Sequence, residues 1–175
     1  VTGIAATATV NAPMMTTTGV GSSFDITTDV PVVAYQISPY GSGSVAVTGA
    51  SLLIPVSAWD TNYVAMTASA ETTFTGPEIN IIAATDNTKV TLLPNVTLTG
   101  GGGIPSGAAN TPVTFTLNKG QQANIEQNLD LTGSVIQASA PVGLMAGNPC
   151  QRTPTGTSYC DHGEQMIPPV RALGS

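Results

Sequence analysis

What most restricts this chain is its punctuation: short runs rich in Val, Ile and Thr, each closed within a few residues by Gly, Pro, Asn or Asp. The runs fall at residues 4–10, 32–38, 62–68, 78–85, 89–93, 112–117, 121–126, 135–138 and 142–146. β-Branched side chains suit a pleated strand and lose rotamer freedom in a helix. In one run Val113, Phe115 and Leu117 alternate with Thr114 and Thr116, which gives a strand with one apolar and one wet face. Charged helix formers are scarce, with Lys only at 89 and 119 and Glu only at 71, 78, 126 and 164. The expectation is an all-β protein, a β-sandwich, with Asp86-Asn87 turning a hairpin. Its core is expected to draw on Val32, Val56, Trp59, Val64, Ile79, Ile81, Val113, Phe115, Leu117, Ile136, Val142 and Leu144.

Charge narrows the function classes. Four basic against ten acidic residues give a formal charge of −6, so no nucleic-acid backbone is neutralised over a useful footprint. The longest apolar stretches, near 30–35 and 51–59, contain Pro and fall short of the roughly 20 residues a bilayer-spanning helix requires. No membrane span is expected. The sequence opens at Val1, and its Thr/Gly/Asn-rich, Lys-poor character is that expected of an exported protein whose signal has been removed. Cys150 and Cys160 lie among Pro149, Pro154, Gly156 and Gly163, and in an oxidising compartment such a pair bridges; the alternative is two reduced, buried thiols.

Two motifs recur in the same order. Ile26, Pro31 and Val32 match Ile136, Pro141 and Val142. Further on, Ile54-Pro55-Val56-Ser57-Ala58-Trp59 matches Ile167-Pro168-Pro169-Val170-Arg171-Ala172-Leu173 with one Pro inserted. The sandwich is therefore expected to consist of two related halves. The division is 1–20 as an amino-terminal β segment, 21–99 as the first half, 100–110 as a flexible Gly-rich linker and 111–175 as the second half. The first copy continues into Tyr63-Val64-Ala65-Met66, whereas the second stops at Ser175, one strand short. Either the chain continues or another chain supplies the strand. Ile4, Ala6, Ala8 and Val10 alternate as a donor strand would, and head-to-tail donation would build a filament.

Few residues carry chemistry. Cys160-Asp161-His162-Gly163-Glu164 gathers the one His with two carboxylates, which suits a metal or ligand loop or an acid–base pair. The competing reading is that Asp161 and His162 satisfy backbone groups in a Gly/Pro loop. A triad would need His162, yet neither Gly21-Ser22-Ser23-Phe24 nor Gly41-Ser42-Gly43-Ser44 completes a nucleophile elbow. A thioester between Cys160 and Gln165 requires an unpaired thiol, and an isopeptide bond requires a buried Lys89 or Lys119. Asn95-Val96-Thr97 is a glycosylation sequon. Trp59 and Tyr63 suit either sugar stacking or core packing. No enzyme activity and no cofactor are expected.

Six segments occur together in one order: Leu53-Ile54-Pro55-Val56-Ser57-Ala58-Trp59, Ile82 to Thr91 around Thr85-Asp86-Asn87, Leu117-Asn118-Lys119-Gly120-Gln121, Asp130-Leu131-Thr132-Gly133 through Pro141-Val142, Gly147-Asn148, and Cys160-Asp161-His162 followed by Glu164-Gln165. In this the chain resembles the amino-terminal domain of the IgG Fc-binding protein of mucus, a family that also occurs in secreted bacterial proteins. The resemblance implies a secreted, disulfide-bearing β module with adhesive or structural roles. The expected function is a non-catalytic extracellular structural or adhesive module, with self-association or other extracellular proteins or glycans as partners. The alternative is a ligand- or metal-binding, or hydrolytic, domain centred on Asp161, His162 and Glu164.

Overall fold

A computed structural model describes residue 15 and residues 17–38, 49–67, 76–152, 154, 156–158 and 160–174. The expected donor residues Ile4, Ala6, Ala8 and Val10 lie outside the described residues. The described chain is all-β: strands β1 (Gly19–Ser22), β2 (Tyr35–Ser38), β3 (Gly49–Leu52), β4 (Asp60–Val64), β5 (Glu78–Ala83), β6 (Thr88–Leu93), β7 (Val113–Leu117), β8 (Gln121–Glu126), β9 (Val135–Gln151) and β10 (Asp161–Ile167), with two short 3-10 turns at Val56–Ala58 and Val170–Leu173.

β9 is the spine. Its Val142–Gly147 stretch pairs with β5 and its Val135–Ala138 stretch with β6, while β10 and β4 lie end to end along its other edge. β8 and then β1 extend the sheet beyond β5, and β7 extends it beyond β6. The result is one antiparallel eight-stranded sheet curled around a single core. β9 changes partner from β6 to β5 between Ala138 and Val142, where the pairing with β4 also shifts register. Pro141, which has no N–H to donate, sits at this break.

The core unites Ile79, Ile81, Ile125 and Leu144 from one end of the curl with Val90, Leu92, Phe115 and Ile136 from the other. Period-2 burial is clear in β5, β6 and β7, where every second side chain is enclosed. Tyr63 is also fully enclosed, and its hydroxyl donates to the Val142 carbonyl at 2.6 Å. β2 and β3 form a separate two-stranded sheet, with Tyr35 opposite Leu52 and Ile37 opposite Ala50. It docks on β10: the Met166 N–H donates to the Ser51 hydroxyl at 2.9 Å, and the Ile54 N–H to the Met166 sulfur at 3.0 Å.

Several expectations are corrected. Asp86-Asn87 is a kink and not a hairpin, because β5 and β6 run on in one direction along β9. Asn87 takes φ 54°, and the Asp86 carboxylate accepts the Lys119 N–H. Residues 100–107 are not a loose connection. Gly101 and Ile104 exchange both backbone hydrogen bonds at 2.9 Å, Leu98 pairs with Gly107, and Ile104 is buried. The segment Asp161–Ile167 is a strand, held by its ladder to β9, where a Gly/Pro loop was expected. Val32, Val56 and Val64 are exposed and Trp59 is half-buried. Val64 faces out because Tyr63 and Ala65 face in. The two Pro-Val segments have unlike surroundings: Val142 is enclosed in β9, whereas Val32 lies outside any strand. Two equivalent halves of one core are therefore not what the fold displays.

Candidate functional site

The site grows from the hairpin of β9 and β10. Cys150 and Cys160 are joined, with Cα atoms 5.1 Å apart, so the disulfide closes the connection between the two strands. Cys160 is thereby committed and has no thiol for a thioester. Immediately after it, β10 carries Asp161, His162 and Glu164 out along the edge of β9.

Across four strands the register runs Glu126, Glu78, Gly147, Glu164. Residues directly opposite one another share a sheet face, so three of the chain's four glutamates stand in one row. Gly147 leaves the row open between Glu78 and Glu164. Its Cα has no room for a side chain, since a Cβ there would lie 2.1 Å from the Gly163 carbonyl oxygen. His162 joins the row, its Nε2 3.2 Å from Glu164 Oε2. Gln36, from the small sheet, donates to the same Oε2 at 2.6 Å. A shallow depression of about 300 Å³ opens beside Glu164, between Met66, Gly147 and Ile167.

The electrostatics follow from crowding. Burial, and then the neighbouring Glu126 carboxylate, push Glu78 up to about 7, with His162 opposing and Glu164 adding to the rise. Burial also raises Glu126. The hydrogen bond to Glu164 raises His162 against the opposing effect of its own burial, and a contact with the Pro149 carbonyl adds to the rise. Burial and proximity thus favour the protonated forms of Glu78, Glu126 and His162. Among the described residues no three His, Cys, Asp or Glu side chains converge as a metal set, and no hydroxyl is hydrogen-bonded to His162 as a nucleophile would be.

Of the residues singled out in the sequence, His162 and Glu164 meet, while Asp161 is exposed and stands outside the pair. Gln36, Glu78 and Glu126 were missed. The only signal for them was that glutamates are rare and that two of them mark strand ends. Asn95 is exposed; its Nδ2 donates to the Thr132 carbonyl at 2.8 Å and its Oδ1 accepts from Ser134 at 2.7 Å. Tyr63 is core, and Trp59 lays its ring over Gly143 while donating to the Ile54 carbonyl, so neither is free to stack on a sugar. Lys89 and Lys119 are exposed.

An all-β, disulfide-closed module, with a polar cluster that pairs internally and no visible catalytic constellation among its described residues, defines a class of protein and leaves open which one. The sequence profile of the IgGFc binding protein family matches residues 49–175, and the chain belongs to this family. The IgGFc-binding protein of Homo sapiens is 29% identical over 127 residues, which is 71% of this chain and 2% of that protein. The chain thus spans about 2% of the length of this curated relative. No solved structure matches. No helix among the described residues is long and apolar enough to cross a membrane.

Proposed function

We propose that this chain is a non-catalytic extracellular module that binds other proteins. Family membership over residues 49–175 carries the reading. The disulfide agrees with an oxidising compartment. The small sheet adds a surface suited to protein contact: Tyr35, Ile37, Ala50 and Leu52 share one exposed face, while on the other face Ser51 is buried and Gln36, itself exposed, donates to Glu164. An apolar face turned to solvent is not what folding alone favours, and such patches mark contact sites.

The relative's name makes the Fc fragment of human IgG the first probe, followed by secreted mucus glycoproteins. Immobilised chain is expected to capture one of these saturably and to lose that capture when Tyr35 and Ile37 are both changed to Ser. Absence of binding to every extracellular protein tested, together with turnover of an ester or peptide substrate that depends on His162, would replace this reading with the hydrolytic one.

A further inference from the structure

The two hairpins of this fold correspond residue for residue. In the small sheet Tyr35, Gln36, Ile37 and Ser38 face Leu52, Ser51, Ala50 and Gly49. In the main sheet Met145, Ala146, Gly147 and Asn148 face Met166, Gln165, Glu164 and Gly163. Adding 110 to the first strand's numbers and 114 to the second's turns one register into the other without a slip. Each second strand then runs into a proline, Pro55 or Pro169, in extended conformation, and each proline opens a 3-10 turn.

Beyond the first of these turns, Trp59 covers Gly143, and β4 pairs antiparallel with β9, placing Asp60 opposite Val142 and Tyr63 opposite Ile136. The same shift of 110 carries Ile136, Val142 and Gly143 back onto Ile26, Val32 and Val33. There the surroundings differ. Among the described residues no strand pairs with residues 26–33; backbone pairing stops at Ser23 on one side and resumes at Ala34 on the other. Ile26 and Val33 are 70% and 71% exposed, while Ile136 is fully buried. Leu173, which occupies the place of Trp59, is exposed at 69%.

We propose that residues 26–33 form a receiving edge for one added β-strand, antiparallel and patterned like β4. The segment exposes Ile26, Val30, Val32 and Val33 around a bend at Asp29 and Val30, where the Thr28 hydroxyl donates to the Val30 carbonyl at 2.8 Å. Strand addition would straighten that bend and use the backbone N–H and C=O groups for affinity and alternate side chains for specificity. The chemistry of the occupant is given by β4 itself. It is a segment with a small or acidic first residue and a tyrosine at the fourth, whose hydroxyl donates to the Val32 carbonyl as Tyr63 donates to that of Val142. Pro31 is no obstacle, because its counterpart Pro141 lies where β4 shifts register. The inference deepens the reading of a protein-binding module and rests on it for the partner being a polypeptide.

The test uses the intact chain and a fluorescent synthetic peptide with the sequence of residues 60–67. Saturable binding is expected, with new hydrogen-exchange protection confined to residues 26–33. Val32→Asp should abolish binding without changing the melting temperature, since Val32 is exposed, and the peptide with Phe for its tyrosine should bind several-fold more weakly. No anisotropy change at millimolar peptide overturns the proposal, as does protection appearing at residues 135–142 instead. It is also overturned if residues 26–33 are already protected and lose that protection when residues 1–14 are deleted, because the chain's own amino-terminal segment would then be the occupant. None of these outcomes depends on capture of IgG Fc or a mucus glycoprotein, so the two readings fail separately.

Discussion

Single residues decide how this module responds to pH. Glu78 carries a pKa near 7 in the folded state against an ordinary 4.5. A carboxylate raised by folding stabilises fully below its unfolded value, and that contribution is lost as pH rises through about 7. His162 is raised too, so its contribution is present below its ordinary value and is lost as pH climbs through the folded one. Both act in one direction, and stability should fall between pH 5 and pH 8. Glu78→Gln, which stays neutral, should remove most of the slope and make the variant the more stable form at pH 8, by at most about 3 kcal/mol. Thermal melts across that range check it, and parallel profiles for parent and variant would show that Glu78 is not the titrating group. Packing is as local. A Cβ on Gly143 would lie 2.6 Å from the Trp59 ring, so Gly143→Ala should cost about 1–3 kcal/mol in urea melts. Combining it with Trp59→Leu should recover part of the loss.

At the scale of elements, the β9–β10 hairpin depends on its disulfide more than the core does. The bridge closes a loop of ten residues' separation, for which the chain-entropy relation gives about 2.7 kcal/mol. Changing both cysteines to Ser should lower stability by about that amount. The first loss of hydrogen-exchange protection should appear in β10, which is held only at the edge of β9 and by the small sheet. Loss appearing first in β5 and β8 would place the weak point elsewhere. Because β10 carries His162 and Glu164, the same variant should also disturb the histidine's titration in NMR.

For the whole molecule, the curl of the main sheet separates a rigid body from an appended one. Ile79, Val90, Phe115, Ile125, Ile136 and Leu144 share one enclosed core, whereas Tyr35, Gln36 and Ile37 of β2 are exposed and Ser51 is the buried residue of β3. The small sheet should therefore exchange its amides faster than β5, β8 and β9 and open without global unfolding. Uniform exchange across both sheets would mean that the small sheet is part of the cooperative body.

Much of this was readable along the chain. The alternation of Val113, Phe115 and Leu117 and the span of β8 follow from neighbours in sequence, because a strand's side-chain period is a property of its own backbone. The disulfide and the family likewise rest on residue types and their order. Other features had no local signal. Gly163, His162 and Glu164 have little strand preference, and β10 exists because β9 pairs with it. Asp86-Asn87 has the chemistry of a tight turn, yet the shared partner β9 makes it a kink between collinear strands. The row of Glu126, Glu78 and Glu164 is set by register, which joins residues far apart in sequence and is chosen by which faces the whole sheet can bury. The sequence alone determined class, periodicity and covalent closure, which are local; which glutamates stand in one row across the sheet was decided by non-local pairing.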